Sequence, residues 1–335
     1  MTEEVFQLIK GVTEAFGPSG SEEPVREFIK SRVKEYVDEV RTDPLGNLIC
    51  VRKGQAGGKK VLLDAHMDEI GLIVTHVDDK GFLRFSNIGG VSPYTTVGER
   101  VYFANGTTGV VGIEKVEDPK EVRFEKLFID IGARDKAEAE SRVRVGDMAA
   151  FLRNAERMGT RIVSKALDDR IGCAVVVETL RRAKSTKHTI YAVFAVQEEV
   201  GLRGARVAAF GIEPDVGIAV DVTRTGDTPK GITMDVSLGK GAAIKVKDAS
   251  LICHPGLRKY LEKIAVERNI PYQLEVLEAG GTDSGAIQIT KAGIPAAVVS
   301  VPCRYIHTPS EVVDENDVEA CINLLVGAVE SPLEF

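Results

Sequence analysis

Two of the chain's five histidines, His66 and His307, stand beside carboxylates just past the ends of apolar runs. Ala65-His66-Met67-Asp68-Glu69 closes one such run, Gln197-Glu198-Glu199-Val200-Gly201 follows another, and Asp221 ends a third. Lys165-Ala166-Leu167-Asp168-Asp169-Arg170 opens a Val/Ala-rich stretch, and Arg304-Tyr305-Ile306-His307-Thr308-Pro309-Ser310-Glu311 follows the last apolar run. Each segment alone reads as a turn or a cap. Paired charges between an apolar run and Val-Gly-Leu are costly unless something compensates them, and the pattern recurs at every site. A divalent metal supplies that compensation, since imidazole and carboxylate are the N/O donors of zinc and related ions, with water in the open position. Three carboxylates and two imidazoles exceed one four-coordinate ion, whereas two ions sharing one bridging carboxylate use all five. Asp168 is the best bridge, because it precedes a helix and lies between the other groups in chain order. The one-residue gap from His66 to Asp68 puts both side chains on one side of an extended segment. Asp68 is thereby placed to accept the second ring N–H of His66.

Composition sets the frame for such a site. The 335 residues suit two domains, and 44% hydrophobic with 28% charged residues suits a soluble globular protein. No apolar stretch approaches the ~20 residues needed to span a bilayer, so no membrane role is expected. The acidic start Met1-Thr2-Glu3-Glu4 lacks signal-peptide features. With 43 basic against 50 acidic residues and no long basic run, nucleic acid is not an expected partner. The cysteines at 50, 173, 253, 303 and 321 are odd in number and scattered, as expected for reduced residues of a cytoplasmic protein.

The elements that must position these residues divide into two textures. Residues 3–15 and 21–37 read as amphipathic helices, with Ser21 a natural N-cap for the second. Strands follow at 48–52 and 60–65. From about 72 to 164 come short β-rich runs separated by glycine turns, which predict a small all-β barrel. After 164, strands at 189–196, 216–222, 272–277 and 294–301 alternate with helices. Runs such as Ile294-Pro295-Ala296-Ala297-Val298-Val299 lack period-two alternation, as in strands buried on both faces. The expected fold is an α/β three-layer sandwich with a mixed, mainly parallel sheet from residues 1–71 and 165–335, interrupted by the barrel at 72–164. The polar segments then gather beyond the C-terminal ends of the strands, where open α/β sheets bind ligands.

The segments 65–71, 166–172, 197–201, 221–223, Gly280-Gly281-Thr282-Asp283 and 306–311, with Phe16-Gly17-Pro18-Ser19-Gly20 near the start, resemble the motif set of the tetrahedral, glutamyl and deblocking aminopeptidases. Some members of that family were once labelled cellulases or endoglucanases. The likeness runs over essentially the whole chain. It implies that His66, Asp168 and Asp221 hold one metal while Asp168, Glu199 and His307 hold the other. It also implies that Glu198 is the general base, that Asp68 orients His66, and that Gly281, Thr282 and Asp283 line the substrate pocket. The inserted domain would serve in assembly, from dimers to a dodecamer.

The expected reaction is removal of N-terminal residues from short peptides, using two divalent ions, zinc or cobalt, and a water bridged between them. Glu198 would take that water's proton and return it to the departing amine. Three rivals are weighed. A glycoside hydrolase needs two carboxyls facing each other across a sugar groove, and it would leave the histidines idle. A metal-stabilised scaffold would bind ions without turnover. An acyl-amino-acid or dipeptide hydrolase would prefer blocked or dipeptide substrates. His76, His188 and His254 have no partner motif and read as structural.

Overall fold

The computed structural model of the protein describes residues 1–335. The apolar runs form the centre of an eleven-stranded mixed sheet. Four neighbours there are mutually parallel, in the spatial order Thr189–Ala195, Lys60–His66, Val216–Thr223, Ala296–Arg304. Every residue of Val216–Thr223 is buried, which explains its missing alternation: helices cover both faces. Helices Glu3–Glu14, Glu23–Val33, Leu167–Arg182, Pro255–Glu267 and Glu315–Glu330 pack into one layer, and Arg203–Ile212 and Asp283–Gln288 into the other. Antiparallel strands extend the sheet: Leu48–Arg52 and Glu39–Thr42 at one edge, Glu311–Asp314, Arg161–Ser164 and Glu156–Met158 at the other. Ala242–Lys247 pairs with Ala296–Arg304 and carries Tyr272–Val276 at its far side.

The insert is a closed antiparallel barrel of six strands: Gly71–Val77, Leu83–Ile88, Leu127–Asp130, Thr108–Ile113, Arg100–Phe103 and Met148–Phe151. Its core, with Leu72, Leu83, Val101, Val111 and Ile129, is separate from the main one. The return to the main sheet comes earlier than residue 164. Glu156–Met158 and Arg161–Ser164 form a hairpin whose second strand pairs with Glu311–Asp314. A short hairpin with a glycine turn has the same local pattern in either sheet, and only its distant partner decides where it belongs. Ser21 does not cap the second helix: its hydroxyl lies 3.3 Å from the sulfur of Met148, and Glu22 occupies the N-cap position.

Candidate metal centre and active site

The four parallel strands all point the same way, so their C-terminal ends lie side by side. His66 ends one strand and Asp221 lies near the end of its neighbour, while Glu198 and Glu199 follow Thr189–Ala195 and His307 follows Ala296–Arg304. Asp168 comes from a non-helical turn at the head of Leu167–Arg182, where the Asp168–Asp169 peptide is cis. Residues beside these groups adopt left-handed backbone: Ala166, Gln197, Leu202, Tyr305 and His307 itself. Each such non-glycine residue carries a cost of order 1–3 kcal/mol, a kind of strain that gathers where function fixes side-chain direction.

The five expected ligands converge in two overlapping groups. Donor atoms of His66, Asp168 and Asp221 lie within 4.8 Å of one another, as do those of Asp168, Glu199 and His307. Asp168 belongs to both through different oxygens: Oδ1 is 3.1 Å from His66 Nε2, and Oδ2 is 3.2 Å from His307 Nε2. Glu199 Oε2 is 3.3 Å from the same His307 nitrogen. Glu198 Oε2 stands 3.8 Å from His66 Nε2, facing the same space.

Electrostatics describe a site short of positive charge. Burial pushes the Asp221 carboxyl up to about 7, with Asp168 adding to the effect. Burial likewise drives Glu198 and Glu199 well above the ordinary carboxylate range, reinforced by neighbouring acids and opposed by His66. Burial works against ionised Asp168 too, but hydrogen bonds from His307 and His66 outweigh it and hold that carboxyl low. Glu199 Oε1 is buried with no hydrogen-bond partner. An orphaned carboxylate oxygen within a cluster of N/O donors is what a bound cation would satisfy, so the residues fit a pair of divalent ions.

Residues behind the cluster hold it in place. Asp68 accepts hydrogen bonds from the Glu198 and Glu199 N–H groups at 3.0 and 3.2 Å and from the Ser19 hydroxyl at 2.6 Å. The His66 Nδ1 lies 3.2 Å from the main-chain oxygen of Asp68 and 3.5 Å from its carboxylate. Asp68 therefore meets His66 mainly through its backbone and fixes the Glu198–Glu199 segment with its side chain. Burial pushes the Asp68 carboxyl up, yet these bonds and His66 keep it below its ordinary value.

Sequence reasoning gave no role to several supporting residues. Glu311 accepts from the backbone N–H of both Asp168, at 2.9 Å, and His307, at 2.8 Å. Asp169 accepts from His66 N at 3.2 Å. Gly90, from the insert, admits no side chain, because a Cβ there would lie 2.2 Å from His307 Nδ1. The signal for Glu311 was present as a charge directly before Val312-Val313. Nothing in the sequence announced Gly90, whose role depends on how the insert docks.

A cleft of about 420 Å³ contains His66, Asp168, Glu198, Glu199, Asp221 and His307. Gly281 lines its wall, but Thr282 and Asp283 do not. Thr282 bonds Asp248 at 3.3 Å, and Asp283 is buried with both carboxylate oxygens unpartnered. Both side chains are buried, Thr282 as the N-cap residue and Asp283 as the first residue of the helix Asp283–Gln288. Of the histidines set aside, His188 accepts from Lys59 N at 3.2 Å and His254 caps the helix Pro255–Glu267.

Known proteins resemble the chain over its full length. The chain is 54% identical over 328 residues to a protein of Acetivibrio thermocellus whose name assigns it provisionally to the aminopeptidases, covering 98% of this chain and 99% of the relative. Among solved structures, the aminopeptidase APDkam598 of the archaeon Desulfurococcus kamchatkensis superposes with a TM-score of 0.95 at 41% identity, covering 98% of this chain and 95% of the other. The TET1 peptidase of Pyrococcus horikoshii, which can assemble into a tetrahedron or a large octahedral shell, gives 0.88 at 33%, with 98% and 100% covered. Residues 46–324, which include every candidate ligand of the double cluster, match the M42 glutamyl aminopeptidase family, and the chain belongs to that family.

Proposed function

We propose that this aminopeptidase is a two-metal enzyme that releases N-terminal residues from short peptides. Family membership and full-length likeness to aminopeptidases carry the activity. One observation carries the two-metal reading: the carboxylate of Asp168 offers one oxygen to each of two histidine-containing donor groups. His66, Asp168 and Asp221 would hold one ion, and Asp168, Glu199 and His307 the other, with zinc and cobalt both suited to the donors. Bound divalent ions supply positive charge that acidifies a water and stabilises charge developing on the scissile carbonyl.

The chain's own residues do the remaining work. Glu198 is the general base: its carboxylate projects into the cleft and makes no protein hydrogen bond, so it is free to take a proton from water. It then returns that proton to the departing amine. Asp68 fixes the main chain at Glu198 and Glu199, and Glu311 does the same at Asp168 and His307. Gly281 contributes to the wall that receives the substrate. For assembly, the likeness to a TET1 peptidase that builds closed shells supports a homo-oligomer, a dodecamer built from dimers with the barrel as its assembly domain. Five buried free thiols suit a reducing cytoplasm.

The test is hydrolysis of leucyl- and glutamyl-p-nitroanilide against their N-acetylated forms, with chelator and then with zinc or cobalt restored. The reading predicts cleavage of the free-amine substrates only, lost with chelator and regained with metal. Preference for the acetylated forms would favour an acyl-amino-acid hydrolase, and chelator-insensitive cleavage of a glucan would favour a glycosidase.

A further inference from the structure

Beside the metal cleft lies a second hollow, of about 410 Å³, whose character is opposite. The two adjoin, since Arg224 and Ile306 line both. Four carboxylates face the cleft, whereas the wall of the second hollow carries three cations, Arg224, Lys230 and Arg304, and no carboxylate. Arg304 is occupied by a two-pronged pair with Asp227, at 3.0 and 2.7 Å. Arg224 and Lys230 are exposed and form no ion pair. The part of the cleft lining contributed by Leu277, Ala279, Gly280 and Gly281 carries no charge.

Two dications would balance the four carboxylates of the cleft, so an added ligand meets a roughly neutral centre and an unsatisfied positive edge at Arg224. A short peptide whose amino end sits at the centre has a neutral wall available for its first side chain. The rest of its chain has one charged exit. What a free peptide carries at that end, and an internal stretch does not, is a carboxylate. Arginine's planar fork binds carboxylates in the two-pronged way that makes such contacts directional.

Resting on the aminopeptidase reading, we propose that the hollow of Arg224 and Lys230 binds the C-terminal carboxylate of di- and tripeptide substrates. The enzyme is thereby a trimmer of very short peptides with free carboxyl ends. Longer chains reach the same centre without that contact.

The test compares kcat/KM for metal-loaded wild type and Arg224→Ala on matched di- and tripeptides ending either in a free carboxylate or in an amide. Wild type should favour the free acids by about tenfold, the scale of one charge-assisted contact at a half-open site. In Arg224→Ala the acid-to-amide ratio should fall to about one. Arg224→Lys and Lys230→Ala should lie between, and the wild-type preference should shrink at about 1 M salt, where screening reaches ~3 Å. Equal rates on acids and amides in wild type, or a ratio unmoved by Arg224→Ala, would overturn the proposal. A change confined to the ratio of glutamyl- to leucyl-p-nitroanilide would overturn it as well, by showing that Arg224 reads the N-terminal side chain. If wild type cleaves p-nitroanilides but shows no acid preference, only this proposal fails. If it cleaves nothing with metal present, the aminopeptidase reading fails and takes the proposal with it.

Discussion

Two acidic clusters are buried in the main domain, and they differ in where their positive charge comes from. Glu275 and Asp248 surround Lys245, whose ammonium is fully buried, bonded to Glu275 and 3.5 Å from Asp248. Glu275 also accepts from Thr223 at 2.8 Å and Ser300 at 2.6 Å, and Asp248 from Ser250, Leu251 and Thr282. That cluster is complete within the chain. The cleft cluster has more acids, with histidines as the nearest partial counter-charge, and a buried oxygen of Glu199 left unsatisfied. A closed cluster of this kind is a strut; an open one is a socket. Burial alone does not separate the two, but counting the cations does.

The largest expected effect is on the socket's chemistry. Glu198→Gln removes the proposed base without removing a proposed ligand, so kcat should fall by a factor of about 10²–10⁴ while both metals stay bound. Near-normal turnover with full metal content would take the base role away from Glu198. The strut should fail differently. Lys245→Met leaves two buried carboxylates without their cation, and should cost about 3–5 kcal/mol of stability in a denaturant titration. Replacing Lys245 and Glu275 together by apolar residues of similar size should restore much of that loss. If Lys245→Met proves as stable as wild type, the strut is not holding charge as described.

A smaller effect concerns protons in the socket. With Asp221 pushed up to about 7 by burial, from an ordinary value of 3.8, the metal-free folded chain holds a proton there that the unfolded chain has already lost. That contribution to stability is complete below the unfolded value and is lost as pH rises towards about 7. Metal binding must expel the proton, so apparent affinity should rise with pH up to about 7, by up to about tenfold per pH unit for each proton released. Calorimetric titrations at pH 6 and pH 8 in buffers of different ionisation enthalpy should record proton release that is larger at pH 6. Equal affinities with no released proton would contradict the picture of an under-compensated socket.

The cleft's half of this contrast is legible in the sequence, whereas nothing there singles out Lys245, Glu275 or Asp248. The sheet announced itself through apolar runs without alternation, and the candidate ligands through polar residues stationed at the ends of those runs. The barrel was legible from its glycine-spaced short strands, but its far boundary was not. Arg161–Ser164 pairs with Glu311–Asp314, about 150 positions away, and no local pattern encodes that choice. Glu311 escaped assignment for a related reason. Its contacts are to backbone N–H groups of Asp168 and His307, which carry no side-chain signature in a sequence. The burial of Thr282 and Asp283 was not legible, because a motif fixes where a turn occurs, while the direction of each side chain is set by how the following helix docks.

The central claim is that Asp168 is shared between two ions, and metal content tests it most directly. Elemental analysis of wild type and Asp168→Asn, each dialysed against the same buffered zinc or cobalt, should find two ions per chain in the first and none tightly held in the second. A wild-type chain that takes up one ion or none, or an Asp168→Asn chain that retains two, would contradict the account.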